Sequence, residues 1–198
     1  MHISVLSVRY LSVFATLALA TAAHAAPATQ AAPLSYTNVD VGLVSTELTN
    51  SSIDGDGLFV RGSFAFHESF FLFAGLSNIS YDDDIDGFAW NFGVGGHMPI
   101  NNRIDLVGRL GYVDQDLDYP GNGSNSDNGY LLSAALRGFL IDKLELEAGV
   151  QHVHLDDAGN DTSLIGEGRY FFTPRIAGGV LVQLGDSSAF GVNARFLF

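Results

Sequence analysis

From Leu34 to the C-terminus, apolar side chains recur at every second position in runs of about ten to fifteen residues, with polar turns between the runs. A repeat of two belongs to the β-strand, whose side chains alternate between faces, and not to the helix, which repeats at about 3.6 residues. Phe88, Trp90, Phe92, Val94, Gly96 and Met98 take one face, while Ala89, Asn91, Gly93, Gly95 and His97 take the other. In the same way Ile104, Leu106, Gly108, Leu110 and Tyr112 oppose Arg103, Asp105, Val107, Arg109 and Gly111. The pattern predicts about ten strands, near 34–48, 57–66, 70–81, 87–98, 103–115, 129–141, 144–155, 163–172, 175–185 and 188–198, with a count of about eight as the alternative.

Connection lengths alternate too. His67–Ser69, Pro99–Asn102, Asp142–Lys143 and Thr173–Pro174 are tight, whereas Thr49–Asp56, Asp82–Asp86, Asp116–Asn128 and Asp156–Thr162 are polar and mostly longer, with a brief turn at Gly185–Ser187. Short turns at one end and longer loops at the other are the habit of a closed, antiparallel, up-and-down transmembrane β-barrel. A soluble β-sandwich also alternates, and the polar face separates the two. A sandwich would show water a face rich in Lys and Glu, but this face is built from Gly, Ser and Asn with Arg and acidic residues, and the opposite face has almost no charge.

The polar face is expected to line a lumen in which Arg61, Arg103, Arg109, Arg137, Arg169, Arg175 and Arg195 meet Asp40, Asp105, Glu145, Glu147 and Glu167. Paired guanidinium and carboxylate groups satisfy one another in a space too narrow to hydrate each alone. Composition removes other classes. With no Cys there is no disulfide scaffold and no cysteine zinc site, and a formal net charge of −13 excludes nucleic acid as a partner. No cofactor motif is present. Residues 1–25 pair His2 and Arg9 with an apolar stretch and end in Ala23-His24-Ala25, the features of a cleaved secretory signal peptide. Residues 26–33 are an Ala/Pro-rich flexible lead, which leaves 34–198 for the barrel.

Outward aromatics fall in two bands. Phe88, Trp90, Tyr112, Tyr130 and Phe190 lie near the longer loops, and Phe64, Phe66, Phe70, Tyr170, Phe172, Phe196 and Phe198 near the short turns, as the two interfacial girdles of a barrel would. The last strand carries Phe190, Val192, Ala194, Phe196 and the terminal Phe198 on one face. That ending resembles the signal that bacterial outer-membrane proteins present to the barrel-assembly machinery. With the alternation and the signal peptide, the chain resembles the small outer-membrane β-barrels of the OmpA and OmpX membrane-domain type, with two more strands. The resemblance implies a Gram-negative outer membrane reached through the periplasm, with outer-membrane lipid, lipopolysaccharide and the assembly machinery as partners.

The loops hold about fifteen acidic residues and no basic ones. Asp82, Asp83, Asp84 and Asp86 are the densest group and the candidate cation ligands, although their spacing does not match a calcium-binding loop and a solvated acidic face is the alternative. His152 and His154 near Asp156 and Asp157 hold the residue types of a rim hydrolase, but the strand register turns both His outward, toward the girdle. Three functions follow: a non-enzymatic barrel whose acidic loops support the envelope or contact external partners, a narrow cation-preferring pore, and a hydrolase at the rim acting on lipid or peptide. No extracellular partner can be named from the residues.

Overall fold

Strands that alternate in this way cannot stand alone in a membrane, because each edge would leave unpaired N–H and C=O groups in hydrocarbon; only closure satisfies them all. The computed structural model, which describes residues 34–48, 54–82, 85–120, 123–185 and 187–198, is such a closed sheet. Its elements in chain order are β1 (Asn38–Leu48), β2 (Asp54–His67), β3 (Phe70–Tyr81), β4 (Ile85–Asn101), β5 (Ile104–Tyr119), β6 (Gly123–Ile141), β7 (Leu144–Leu155), β8 (Gly159–Phe171), β9 (Ile176–Leu184) and β10 (Ser187–Leu197). Every strand pairs antiparallel with its sequence neighbours, and β1 meets β10 from Asn38↔Leu197 to Leu48↔Ser187. The count is therefore ten and not eight. The expected signal peptide and lead lie outside the described residues.

The outer face is the apolar one. Leu43, Leu58, Leu76, Leu110, Leu132, Leu164 and Val180 all stand exposed there, as a lipid-facing surface requires. At the long-loop end the Trp90 ring stacks on Phe92 at 5.8 Å and tilts against Tyr112 at 5.4 Å, and at the short-turn end Tyr170 meets Phe172 edge-on at 5.5 Å.

Inside, large rings face glycines across the ladder. Phe71 is opposite Gly95, and Phe73 is opposite Gly93. A Cβ on Gly95 would run into the Phe71 ring, and one on Gly93 or Gly111 into the Phe73 ring. The glycines of β4 and β5 thus provide the room that the phenylalanines of β3 fill.

Three expectations are corrected. Leu34–Thr37 is not strand: β1 begins at Asn38, and the four preceding residues turn inward. Tyr36 is buried with Phe71 and Val107, with Leu34 packed against that cluster and also against Phe139, Phe171 and Ala177. This apolar segment would be wasted on a polar exit, so it folds into the short-turn mouth of the barrel. Of the residues expected to form the longest loop, 116–128, those at 116–119 and 123–128 instead extend β5 and β6 as a paired ribbon, with Asp116 opposite Ser126 and Asp118 opposite Ser124. Their polar side chains erase the apolar alternation without disturbing the backbone ladder. For the same reason β8 starts at Gly159, leaving only Asp156–Ala158 as a turn.

Candidate functional site in the barrel lumen

Inward positions of β1, β2, β5 to β8 and β10 bring most of the expected charges together at mid-height. The Arg195 guanidinium donates two bonds to Asp40, Nε to Oδ1 and Nη2 to Oδ2, both at 2.6 Å. Asp40 also accepts from Arg61 Nε at 2.8 Å, and Arg61 reaches across to Glu167. Glu167 accepts from Arg169 and from Asn193 Nδ2, the latter at 2.7 Å. Glu145 gathers three arginines: Arg137 through Nε at 3.0 Å, Arg169 at 2.5 Å and Arg195 at 3.3 Å. Glu147 lies 2.6 Å from Arg109 and 3.4 Å from Arg169. The bonds therefore run in a ring, from Asp40 through Arg61, Glu167, Arg169, Glu145 and Arg195 back to Asp40.

Burial makes this ring mutually dependent. Asp40, Glu145 and Arg169 are each at most 2% exposed. A charge taken that far from water is tolerable only while its partners remain. On the short-turn side the network rests on Tyr36. The Arg137 guanidinium carbon sits 4.6 Å from the centre of the Tyr36 ring, and Arg137 Nη2 donates to the Ser35 carbonyl at 3.0 Å. The Tyr36 ring stacks on His97 at 3.9 Å and on Phe71 at 5.0 Å, while its hydroxyl donates to Asp105 at 2.8 Å. Asp105, expected among the central charges, thus belongs to the layer beneath them, where His97 Nδ1 is 3.0 Å away.

Two expected lumen residues are placed elsewhere. Arg103 lies in the β4–β5 turn, exposed, and bonds Asp142 of the neighbouring turn at 3.0 Å. Arg175 is exposed in the β8–β9 connection. Both sit where strand alternation has already stopped, so their even spacing from inward residues carries no orientation. Sequence reasoning missed Tyr36, Leu34 and Asn193. The first two looked like strand, and the third is an Asn among small residues; only its distance to Glu167 gives it a role.

At the outer end, Asp82 and Asp86 are exposed and Asp86 accepts from Ser80 Oγ at 2.8 Å, while Asp83 and Asp84 lie outside the described residues. Among the described residues no group of three or more His, Cys, Asp or Glu side chains is placed to hold a metal ion. Asp127 instead caps a turn: its carboxylate accepts from the Asp157 N–H at 3.1 Å and the Ala158 N–H at 2.7 Å. Loss of solvation pushes this carboxyl up, but the N–H groups of Ala158 and Asp157 outweigh it and hold Asp127 below the usual carboxylate range. His152 and His154 face outward, each Nδ1 2.7 Å from a neighbour on β8, Thr162 Oγ1 and Asn160 Oδ1, and their rings lean on Tyr130. Phe190, Val192, Phe196 and Phe198 are exposed on the outer side and Ala194 lies half-buried between them on the same face.

An antiparallel up-and-down barrel with an apolar, girdled exterior and a charged interior defines a small transmembrane β-barrel of the outer membrane. The chain belongs to the outer membrane protein beta-barrel domain family, whose model matches residues 13–171, and it is a protein of the bacterial outer membrane. A comparison with curated proteins finds no match. Among solved structures it is similar to the KdgM porin in complex with disordered oligogalacturonate, at 11% identity over 81% of this chain and 99% of that one, with a TM-score of 0.47. The N-terminal β-barrel domain of Pseudomonas aeruginosa OprF is 12% identical over 81% of this chain and 98% of that one, with a TM-score of 0.45. Ail, the attachment invasion locus protein of Yersinia pestis, is 15% identical over 81% and 97%, with a TM-score of 0.43.

Proposed function

We propose that this protein is a non-enzymatic, non-conducting barrel that anchors acidic loops and the β5–β6 ribbon outside the cell, supporting the envelope or contacting external partners. The observation that carries it is the double closure of the lumen, by the ring of ion pairs at mid-height and by Leu34–Thr37 in the short-turn mouth. A rim hydrolase would need a His oriented toward a nucleophile at the mouth, whereas His152 and His154 are turned to the girdle. The exposed carboxylates Asp82, Asp86, Asp118 and Asp156 favour the second function, a narrow cation-preferring pore, since a ring of one sign concentrates counter-ions at its mouth.

Planar-bilayer recording of the refolded chain separates the two. A closed barrel gives no steady current above background, and a stable cation-selective conductance would replace this function with the pore. Transit through the periplasm, and recognition of the last strand by the assembly machinery, belong to the same proposal. Deleting Phe198 lowers the outer-membrane yield while secretion continues; undiminished yield would remove the assembly role.

A further inference from the structure

Above the ring of ion pairs the lumen is not filled. A cavity of about 280 Å³ extends from the network toward the long-loop end, reaching Asn91, Gln151 and Gln183, and that volume is the share of about nine waters. Its charge is uneven. Five arginines of the network line it against three carboxylates, Asp40, Glu147 and Glu167; Glu145 lies beneath and does not reach the wall. Even with Glu145 included, the network holds five guanidinium groups and four carboxylates. Asp105 is held on the far side of Tyr36 and faces His97 there.

Donors are left over as well. Arg169 Nε and Ser133 Oγ are buried with no hydrogen-bond partner among the described residues, and both residues line the cavity. Buried polar groups without partners are costly, which makes each of them a demand for a ligand atom. Arg109 commits Nη2 to Glu147 and is a fifth exposed, so its fork still faces the cavity. Cross-strand pairing sets Arg109 beside Ser133 and Ser133 beside Gln151, which gives one row of donors across β5, β6 and β7.

We infer that the lumen above the ion-pair ring is a binding site for one small hydroxylated monoanion, its carboxylate held by Arg109 and Ser133 and its hydroxyl groups by Gln151, Gln183 and Asn91. A single surplus positive charge calls for one negative charge. The amide and hydroxyl wall suits hydroxyl groups, and Phe73 offers an apolar face beside it. A cation meets the arginine excess and is rejected. The acidic rim slows entry without preventing it, because exposed charges are screened beyond about 8 Å at physiological salt. The site does not depend on whether the barrel conducts.

Calorimetric titration of the refolded, full barrel with gluconate, with its uncharged counterpart sorbitol and with inorganic phosphate tests this. Gluconate binds, sorbitol binds at least about tenfold more weakly, and phosphate competes with gluconate for the same donors. Ser133→Ala, which removes an oxygen that bonds nothing among the described residues, weakens gluconate by about tenfold without lowering the thermal midpoint of the empty barrel. Arg109→Lys keeps the charge and loses the fork, and it weakens gluconate as well. No gluconate binding, equal binding of sorbitol, absence of competition by phosphate, or an unchanged affinity in Ser133→Ala would each overturn the site.

Discussion

The short-turn half of the lumen and the long-loop rim are both rich in carboxylates, yet they use them in opposite ways. In the lumen Asp40, Glu145 and Glu147 are buried and Glu167 is half-buried, and each carries at least two charged partners. At the rim Asp82, Asp86, Asp118 and Asp156 are exposed. A carboxylate in water loses little when its neighbours change, whereas a buried one is held only by them. The same side chain therefore acts as structure in one place and as surface charge in the other.

The largest effect is expected at the centre of the network. Glu145→Ala strands Arg137, Arg169 and Arg195 around a space left by their shared partner, and urea unfolding in lipid vesicles should show a loss of about 4 kcal/mol. Tyr36→Ala is expected to cost about 3 kcal/mol by the same assay, since it removes a buried ring, the bond to Asp105 and the platform under Arg137. Gly95→Ala, which leaves every charge in place, forces a methyl against Phe71 and should cost about 2 kcal/mol through packing alone. If Gly95→Ala proved as damaging as Glu145→Ala, sterics and not charge would set the stability of this half.

At the rim the effects are local. Because Asp127 is held below its ordinary value, its contribution is complete above the unfolded carboxyl range and is lost as pH falls through the depressed value. Proteolysis at Asp156–Ala158 should therefore quicken on strong acidification in the wild type. It should be quick already at neutral pH in Asp127→Asn, with the global unfolding of that variant unaltered at the same pH. Asp82→Ala, at an exposed position, should shift unfolding by no more than about 0.5 kcal/mol.

The two regions also differ in how far the residues announce them. Where lipid faces one side, every second position must be apolar, so β3 and β7 could be bounded to the residue and the inward placement of Arg61, Arg109, Arg137, Arg169 and Arg195 follows from parity alone. Parity stops informing once both faces meet water. Residues 116–119 and 123–128 keep their ladder without the alternation, and so the sequence pattern gives a loop there. Arg103 and Arg175 continue the parity of the neighbouring strands in sequence, but they sit in turns, where parity sets no orientation. Parity likewise fixes which residues face the lumen but not which of them touch. The ring from Asp40 to Arg195 and the capping by Tyr36 depend on β1 closing against β10, a contact between opposite ends of the chain that no local pattern encodes.

Everything inferred about the closed lumen rests on its charges holding one another, and a double-mutant cycle on Asp40 and Arg195 measures that directly. Their two bonds at 2.6 Å are the best-formed pair in the ring. Asp40→Asn, Arg195→Met and the double variant, unfolded in urea in the same vesicles, should give a coupling energy of about 2 kcal/mol or more, with the double variant more stable than the sum of the single losses allows. Additivity within about 0.5 kcal/mol would mean that the two groups are separately hydrated, and that the lumen is an open aqueous passage and not a sealed one.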